Sequence, residues 1–288
     1  MFNTTRIIQF PLNQFQLKKF IMLKGIGLSK STLLLIVLAV ISIQLNATIR
    51  YAKPTSSGLA DGSSWANATS DLQLLINNSV STDQIWMAAG TYKPNRRADA
   101  TGTITLNNRN NAFVLKSGVK IYGGFVGTET ILSQRDFTAN IVFLSGDIGT
   151  AGVTTDNCYH VVISAGNSST TLLDGITIQS GIADGVVLVT PSITVNTRIV
   201  NPRSGAGLFS IFSSAEFRDC TVRRCDAVNL GGGVYDSASL LACNYTSCKI
   251  LQCTAADGAG IYLSNSVAQV EYCTFTQNSA SSEGGGMY

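Results

Sequence analysis

Four phrases near the end of the chain limit its fold more than any other feature. They are GAGLF from Gly205, GGGVY from Gly231, GAGIY from Gly258 and GGGMY from Gly284, with starts 26, 27 and 26 residues apart. Between them runs a second phrase: CTVRRC from Cys220, CKILQC from Cys248 and CTFTQN from Cys273. A period in the twenties, with two short strands expected per unit, is the mark of a solenoid.

Alternation within the second phrase gives each position a side. Cys220 and Val222, Cys248 and Ile250, Cys273 and Phe275 fall on one face, with Thr221, Lys249 and Thr274 on the other. The first set is small or apolar and is expected inside. One coil cannot bury that face alone, so coils must stack at a strand spacing of roughly 4.8 Å. The Gly pairs permit turns and close backbone approach. Asn278 is suited to bonding a turn backbone.

Upstream, short apolar runs bounded by turn residues follow one another: AFVLKSGVKIYGGF from Ala112, NIVFLSGDIG from Asn140, HVVISAG from His160 and TLLDGITIQSG from Thr171. None has the length of a helix. Residues 186–204 interrupt them as a projecting loop or hairpin, and residues 95–111 read as a surface excursion. Asp71 is placed to cap a short helix whose Leu72, Leu75 and Ile76 share one face. That helix is expected to plug the open end of the stack, ahead of a first strand in QIWMAAGTYKP, residues 84–94. Composition agrees: 45% hydrophobic residues, only 13% charged and 27 Gly suit stacked strands better than helices.

The first 47 residues read as a signal peptide. Lys18, Lys19, Lys24 and Lys30 precede an apolar run from Leu33 to Ile41, and Leu45-Asn46-Ala47 offers a cleavage site. A start at Met22 gives a better-proportioned leader, and the run is short for a bilayer span. The expected organisation is therefore a leader at 1–47, a cap and first strand at 48–94, and β-helix coils at 95–288 that break off inside a repeat. Five of the 20 Lys and Arg precede Thr48, whereas all 17 acids follow it, so the remainder carries 15 minus 17, or −2. No basic patch argues for nucleic acid.

At these repeats the sequence resembles right-handed parallel β-helix proteins of the pectin-lyase-like superfamily. More narrowly, it is similar to bacterial surface proteins with polymorphic-outer-membrane-protein repeats, whose marks are GGA(I/L/V) and FxxN. The first mark stands here as GAGL, GGGV, GAGI and GGGM; the second is complete only at Phe275-Thr-Gln-Asn278. ADGSSWANA with DLQ, and IWMAAGTYKP, resemble the leading segment of exported members. The resemblance implies an all-β, single-stranded right-handed parallel β-helix with a short N-terminal capping helix. It implies an extracellular or outer-membrane location in a Gram-negative-type bacterium, with membrane contact only through export or a carboxy-terminal anchor beyond this sequence. The implied role is a structural or adhesive passenger, with a surface polysaccharide or a host or cell-surface protein as partner.

The alternative is a polysaccharide-active enzyme, a lyase or glycosidase. The chain has no Asp-Asp pair, GHG or NTD motif of the polygalacturonate hydrolases. A calcium-dependent lyase needs clustered carboxylates and a basic Arg or Lys. The nearest set is Asp219, Arg223 and Arg224, with Glu216 and Asp226 around them and Asp174 or Asp257 on neighbouring coils. No cofactor is expected except Ca2+ under that alternative, and no metal site. Two further columns stay open. Phe209, Tyr235, Tyr262 and Tyr288 form either an outer aromatic strip suited to sugars or a partner, or an inner ladder turned in by a bulge. The cysteines at 220, 248 and 273, and at 225 and 253, are either packed core residues or cross-linked between coils. His160 is expected to be structural.

Overall fold

The computed structural model describes residues 47–187, 189–237 and 243–288. The expected signal peptide, including a start at Met22, falls almost wholly on residues 1–46, outside the described part. From Ala47 onward the chain forms one compact unit.

Each full coil carries four strands, not the two expected, and each contributes to a different parallel sheet. A seven-stranded sheet runs Ile49–Ala52, Gln84–Ala88, Lys120–Phe125, Leu172–Asp174, Glu216–Arg218, Asn244–Thr246 and Gln269–Glu271. A six-stranded sheet holds Gly90–Tyr92, Val142–Ser145, Ile176–Gln179, Thr221–Arg223, Lys249–Leu251 and Thr274–Thr276. A four-stranded sheet starts at Ile182–Ala183 and a five-stranded one at Phe113–Val114. The extra strands escaped sequence reading because left-handed residues without a Gly, such as Arg224 (φ +49°) and Gln252 (φ +57°), turn the corners between them. The chain also enters the first sheet earlier than expected, at Ile49–Ala52, so the capping helix follows a strand. The segment 84–94 is two strands that meet at a corner.

In the seven- and six-stranded sheets register is unbroken through the repeats, whereas the four-stranded sheet shifts between Ala255 and Asp257. Ile178, Val222, Ile250 and Phe275 stack in one column, and Leu173, Phe217, Tyr245 and Val270 in another. These columns face the main core. The cysteines lie inside, Cys220 and Cys248 as alternation requires and Cys225 and Cys253 just after the left-handed Arg224 and Gln252; six are buried, Cys273 is partly so, and all seven are free thiols. Cys220, Cys248 and Cys273 donate to the carbonyls of Leu173, Phe217 and Tyr245 on the preceding coil at 3.4, 3.3 and 3.3 Å. Asn278 bridges coils as its type suggested, accepting from Cys253 N at 3.0 Å and donating to Ile250 O at 2.8 Å.

The helix is Leu72–Asn78, capped by Asp71 through Leu74 N, with Leu72, Leu75 and Ile76 buried. Its Gln73 amide accepts from Val114 N at 2.8 Å and donates to Val114 O at 3.2 Å. The side chain thereby imitates a neighbouring strand at the edge of the five-stranded sheet. The 186–204 interruption contains an antiparallel hairpin, Ile193–Val195 with Arg198–Val200. Ile193, Val195 and Val200 cover the outer face of that same sheet, together with Ala98 and Ala112.

One column shows how tightly successive coils approach. A Cβ on Gly233 would stand 2.6 Å from Gly260 O and 2.9 Å from an Ile250 methyl group, whereas one on Gly102 meets nothing within 4 Å. Gly233→Ala is expected to destabilise the protein by about 1–3 kcal/mol, as overpacking does. Gly102→Ala should be near neutral, and denaturant unfolding of both variants checks the contrast.

Candidate functional site

The outer face of the six-stranded sheet carries a shallow groove of about 460 Å³. Its line is set by one corner of the coil, where Gly175, Asp219, Ser247 and Tyr272 stack with φ of +69°, +50°, +55° and +55°. A left-handed residue swings its side chain off the strand alternation and out to the surface. Asp219 therefore lines the groove, and Tyr272 stands 84% exposed at one end. Phe137 forms the opposite wall, close enough to Gly175 that a Cβ there would lie 2.8 Å from the Phe137 Cβ. Thr177, Thr221 and Lys249 project from the strands between. Two aromatic walls over hydroxyl, ammonium and carboxylate groups make a surface with apolar faces and both donors and acceptors.

The residues marked out for lyase chemistry do not converge. Asp219 and Arg224 sit at opposite ends of Thr221–Arg223. Arg223 donates twice to Gln179 Oε1, at 3.0 and 2.7 Å, and stacks over Phe143 at 5.2 Å. Desolvation, and secondarily the neighbouring Arg224, lower its pKa. Arg224 donates to Gln252 Oε1 at 3.2 Å. Asp226 accepts from Thr254 at 2.7 Å, and Asp257 accepts from Glu283 N at 3.0 Å.

A more deeply buried charge network lies beside the groove. Asp174 is 1% exposed and accepts from Arg135 at 2.6 Å, with Arg218 3.6 Å away. Arg218 in turn bonds Glu216. Burial pushes the Asp174 carboxyl up, and the Arg135 hydrogen bond opposes it. Arg135 also lies over the rings of Tyr122 and Phe137, at 5.2 and 5.3 Å. The network thus pins the loop that supplies the Phe137 wall. Sequence reading named Asp174 and Glu216 but missed Arg135, which no local pattern links to Asp174, and Arg218, which stands two residues from Glu216 on one strand and could have been found by that spacing.

The aromatic column lies outside the main core, as simple alternation gives. Phe209 is buried under the hairpin, while Tyr235 and Tyr262 are half-buried and Tyr288 exposed. His160 meets Phe209 at 5.2 Å and Phe209 meets Tyr235 at 5.1 Å. Tyr235 to Tyr262 and Tyr262 to Tyr288 stack at 6.0 and 5.2 Å, within 16° of parallel. The tyrosine faces between coils are therefore occupied by one another, and it is the ring edges that point away. His160 heads the column, buried, with Nδ1 2.9 Å from Gly205 O.

Two outcomes follow. Arg135→Ala leaves Asp174 buried without its main partner and should cost about 3 kcal/mol, recovered in large part when Asp174→Leu is added to Arg135→Met; unfolding curves test both. Burial depresses His160 from 6.5 to about 4. Between those values the unfolded chain takes a proton that the folded one refuses, so stability falls as pH drops through this window, by about 3 kcal/mol in total. His160→Gln should flatten that part of the stability–pH curve relative to wild type.

Residues 160–288 match a family model described as a right handed beta helix region. Neither the curated proteins nor the solved structures include a match to the chain. Together with four parallel sheets stacked in register, that match makes this chain an all-β protein with the right-handed parallel β-helix fold.

Proposed function

We propose that the protein is an exported surface β-helix of the pectin-lyase-like kind, with polymorphic-outer-membrane-protein-type repeats. It works as a structural and adhesive passenger, holding an extended surface polysaccharide in the groove on its six-stranded sheet. The observation that carries this reading is the pairing of Tyr272 and Phe137 across a floor of Thr177, Thr221 and Lys249. Sugar rings have apolar faces for the aromatic walls and hydroxyls for the floor, and a rigid stack of coils costs little ordering on binding. Export is supported by the leader-like first 47 residues.

A second reading, polysaccharide cleavage with calcium, is favoured by one observation. Asp219 borders the groove, and desolvation lowers the pKa of Arg223, on the strand that follows that corner.

Binding and turnover can be separated directly. The full chain is expected to bind neutral or acidic polysaccharides immobilised on an array and to release no shorter products, with or without calcium. Tyr272→Ala should weaken that binding about tenfold or more, in line with loss of a stacking contact. Arg223→Ala and Arg224→Ala should leave it within about twofold. Calcium-stimulated release of unsaturated products, lost in the arginine variants, would establish the enzymatic reading instead.

A further inference from the structure

The loop between Val142–Ser145 and Val162–Ala165, residues 146–157, concentrates an uncommon feature. Asp147 Oδ1, Asp156 Oδ1 and Asn157 Oδ1 are each fully buried and accept no hydrogen bond. Buried oxygens are nearly always paired, so three bare ones in a single loop call for a positive partner. Asn157 as a whole is 3% exposed. Its amide nitrogen is used, donating to Ser180 O at 2.9 Å, which orients the carboxamide and leaves the oxygen without a partner.

Backbone contacts bring the three groups into one turn. Cys158 N bonds Gly146 O at 2.9 Å and closes the loop at its base. Ser180 O, which holds the Asn157 amide, would also lie 2.3 Å from a Cβ on Gly146, so the amide lies next to the residue preceding Asp147. Asp147 Oδ2 accepts from Gly152 N at 3.1 Å, and Asp156 Oδ2 accepts from Thr150 N at 2.7 Å. Each carboxylate therefore grips the same short tip with one oxygen and leaves the other buried and unbonded. Lys93 Nζ stands 3.9 Å from Asp147 Oδ1, beyond hydrogen-bond range, and Arg109 Nε donates to the Asn157 backbone carbonyl at 2.7 Å, so neither cation bonds the three bare oxygens. Residues 150–155 at the tip are exposed, which leaves a way in.

We propose that this loop is a calcium site, with Asp147, Asp156 and Asn157 as its side-chain ligands. Two carboxylates and an amide form an all-oxygen set for a hard cation, and calcium tolerates an irregular loop where magnesium demands near-octahedral geometry. Backbone carbonyls and water complete the shell. Among the described residues no three His, Cys, Asp or Glu side chains cluster as metal ligands, so the amide oxygen is what makes the set. The site is separate from the groove on the six-stranded sheet, and it stands or falls without the polysaccharide reading. Its role is to pin the coil corner that carries Cys158 and leads into His160.

The test uses the full chain, freed of metal with a chelator and titrated with CaCl2 and, separately, MgCl2. One calcium per chain is expected by calorimetry, with the thermal midpoint raised by roughly 5–10 °C at a hundredfold excess over Kd. Asp147→Asn combined with Asp156→Asn should abolish both effects. Lys93→Met, which removes the competing ammonium, should tighten calcium binding several-fold. Should the double variant fail to fold, the Lys93→Met affinity and chelator-induced proteolysis between residues 147 and 156 decide the matter. No shift at millimolar calcium, an equal response to magnesium, or unchanged calcium binding in the folded double variant would overturn the assignment and leave a buried water as the partner of these oxygens.

Discussion

Everything in this protein depends on backbone hydrogen bonds made between one coil and the next. A strand of three residues such as Thr221–Arg223 has almost no stability of its own, and its inward face is one residue, Val222, with Cys220 beside it. It persists because it is paired on both sides, to Ile176–Gln179 and to Lys249–Leu251, in unbroken register. Register in turn aligns like with like: valine on isoleucine, thiol on thiol, ring on ring. The core is therefore a set of columns, each continuing only as long as the residue at that position suits its neighbours above and below.

The same constraint explains where chemistry can appear. Inward positions are committed to packing, so variation is left to the outer faces and corners. The left-handed corner that turns the chain between the seven- and six-stranded sheets repeats in coil after coil, and its side chains change from none at Gly175 to a carboxylate at Asp219, a hydroxyl at Ser247 and a phenol at Tyr272. Each non-glycine in that conformation carries backbone strain, about 1 kcal/mol or more. Ladder bonds on both sides hold it there, such as Asp219 N to Thr246 O at 3.0 Å and Ser247 N to Glu271 O at 2.9 Å. A binding groove can thus be varied along a frame that does not change.

How much of this was legible depended on distance along the chain. Alternation placed Cys220, Val222, Ile250 and Phe275 inside, because that assignment needs only neighbouring residues and the repeat, whereas it left the aromatic column open between an outer strip and an inner ladder. Asp71 and the Leu72, Leu75, Ile76 face were equally readable, since cap and face lie within one turn. The strand count was not readable, because arginine and glutamine at the corners carry no signature of a positive φ. Neither was the Arg135 contact with Asp174, which joins two coils through side chains that follow no period. The groove itself was half visible: Asp219 stood out as an acid, but its wall, Phe137, comes from a loop outside the repeat.

The Gln73 amide pairs with Val114 in the place where another coil would lie. Its consequence is directional. The five-stranded sheet has its first edge occupied by a side chain that cannot pass the hydrogen-bond pattern onward, because Nε2 also donates to Asn77 Oδ1 at 3.0 Å within the helix and no strand backbone follows it. A foreign strand approaching that edge finds it already filled, whereas each new coil of the protein's own chain meets an open ladder on the opposite side. This sheet therefore has a built-in polarity: it is closed by the helix at its first edge and extended by successive coils in the other direction only.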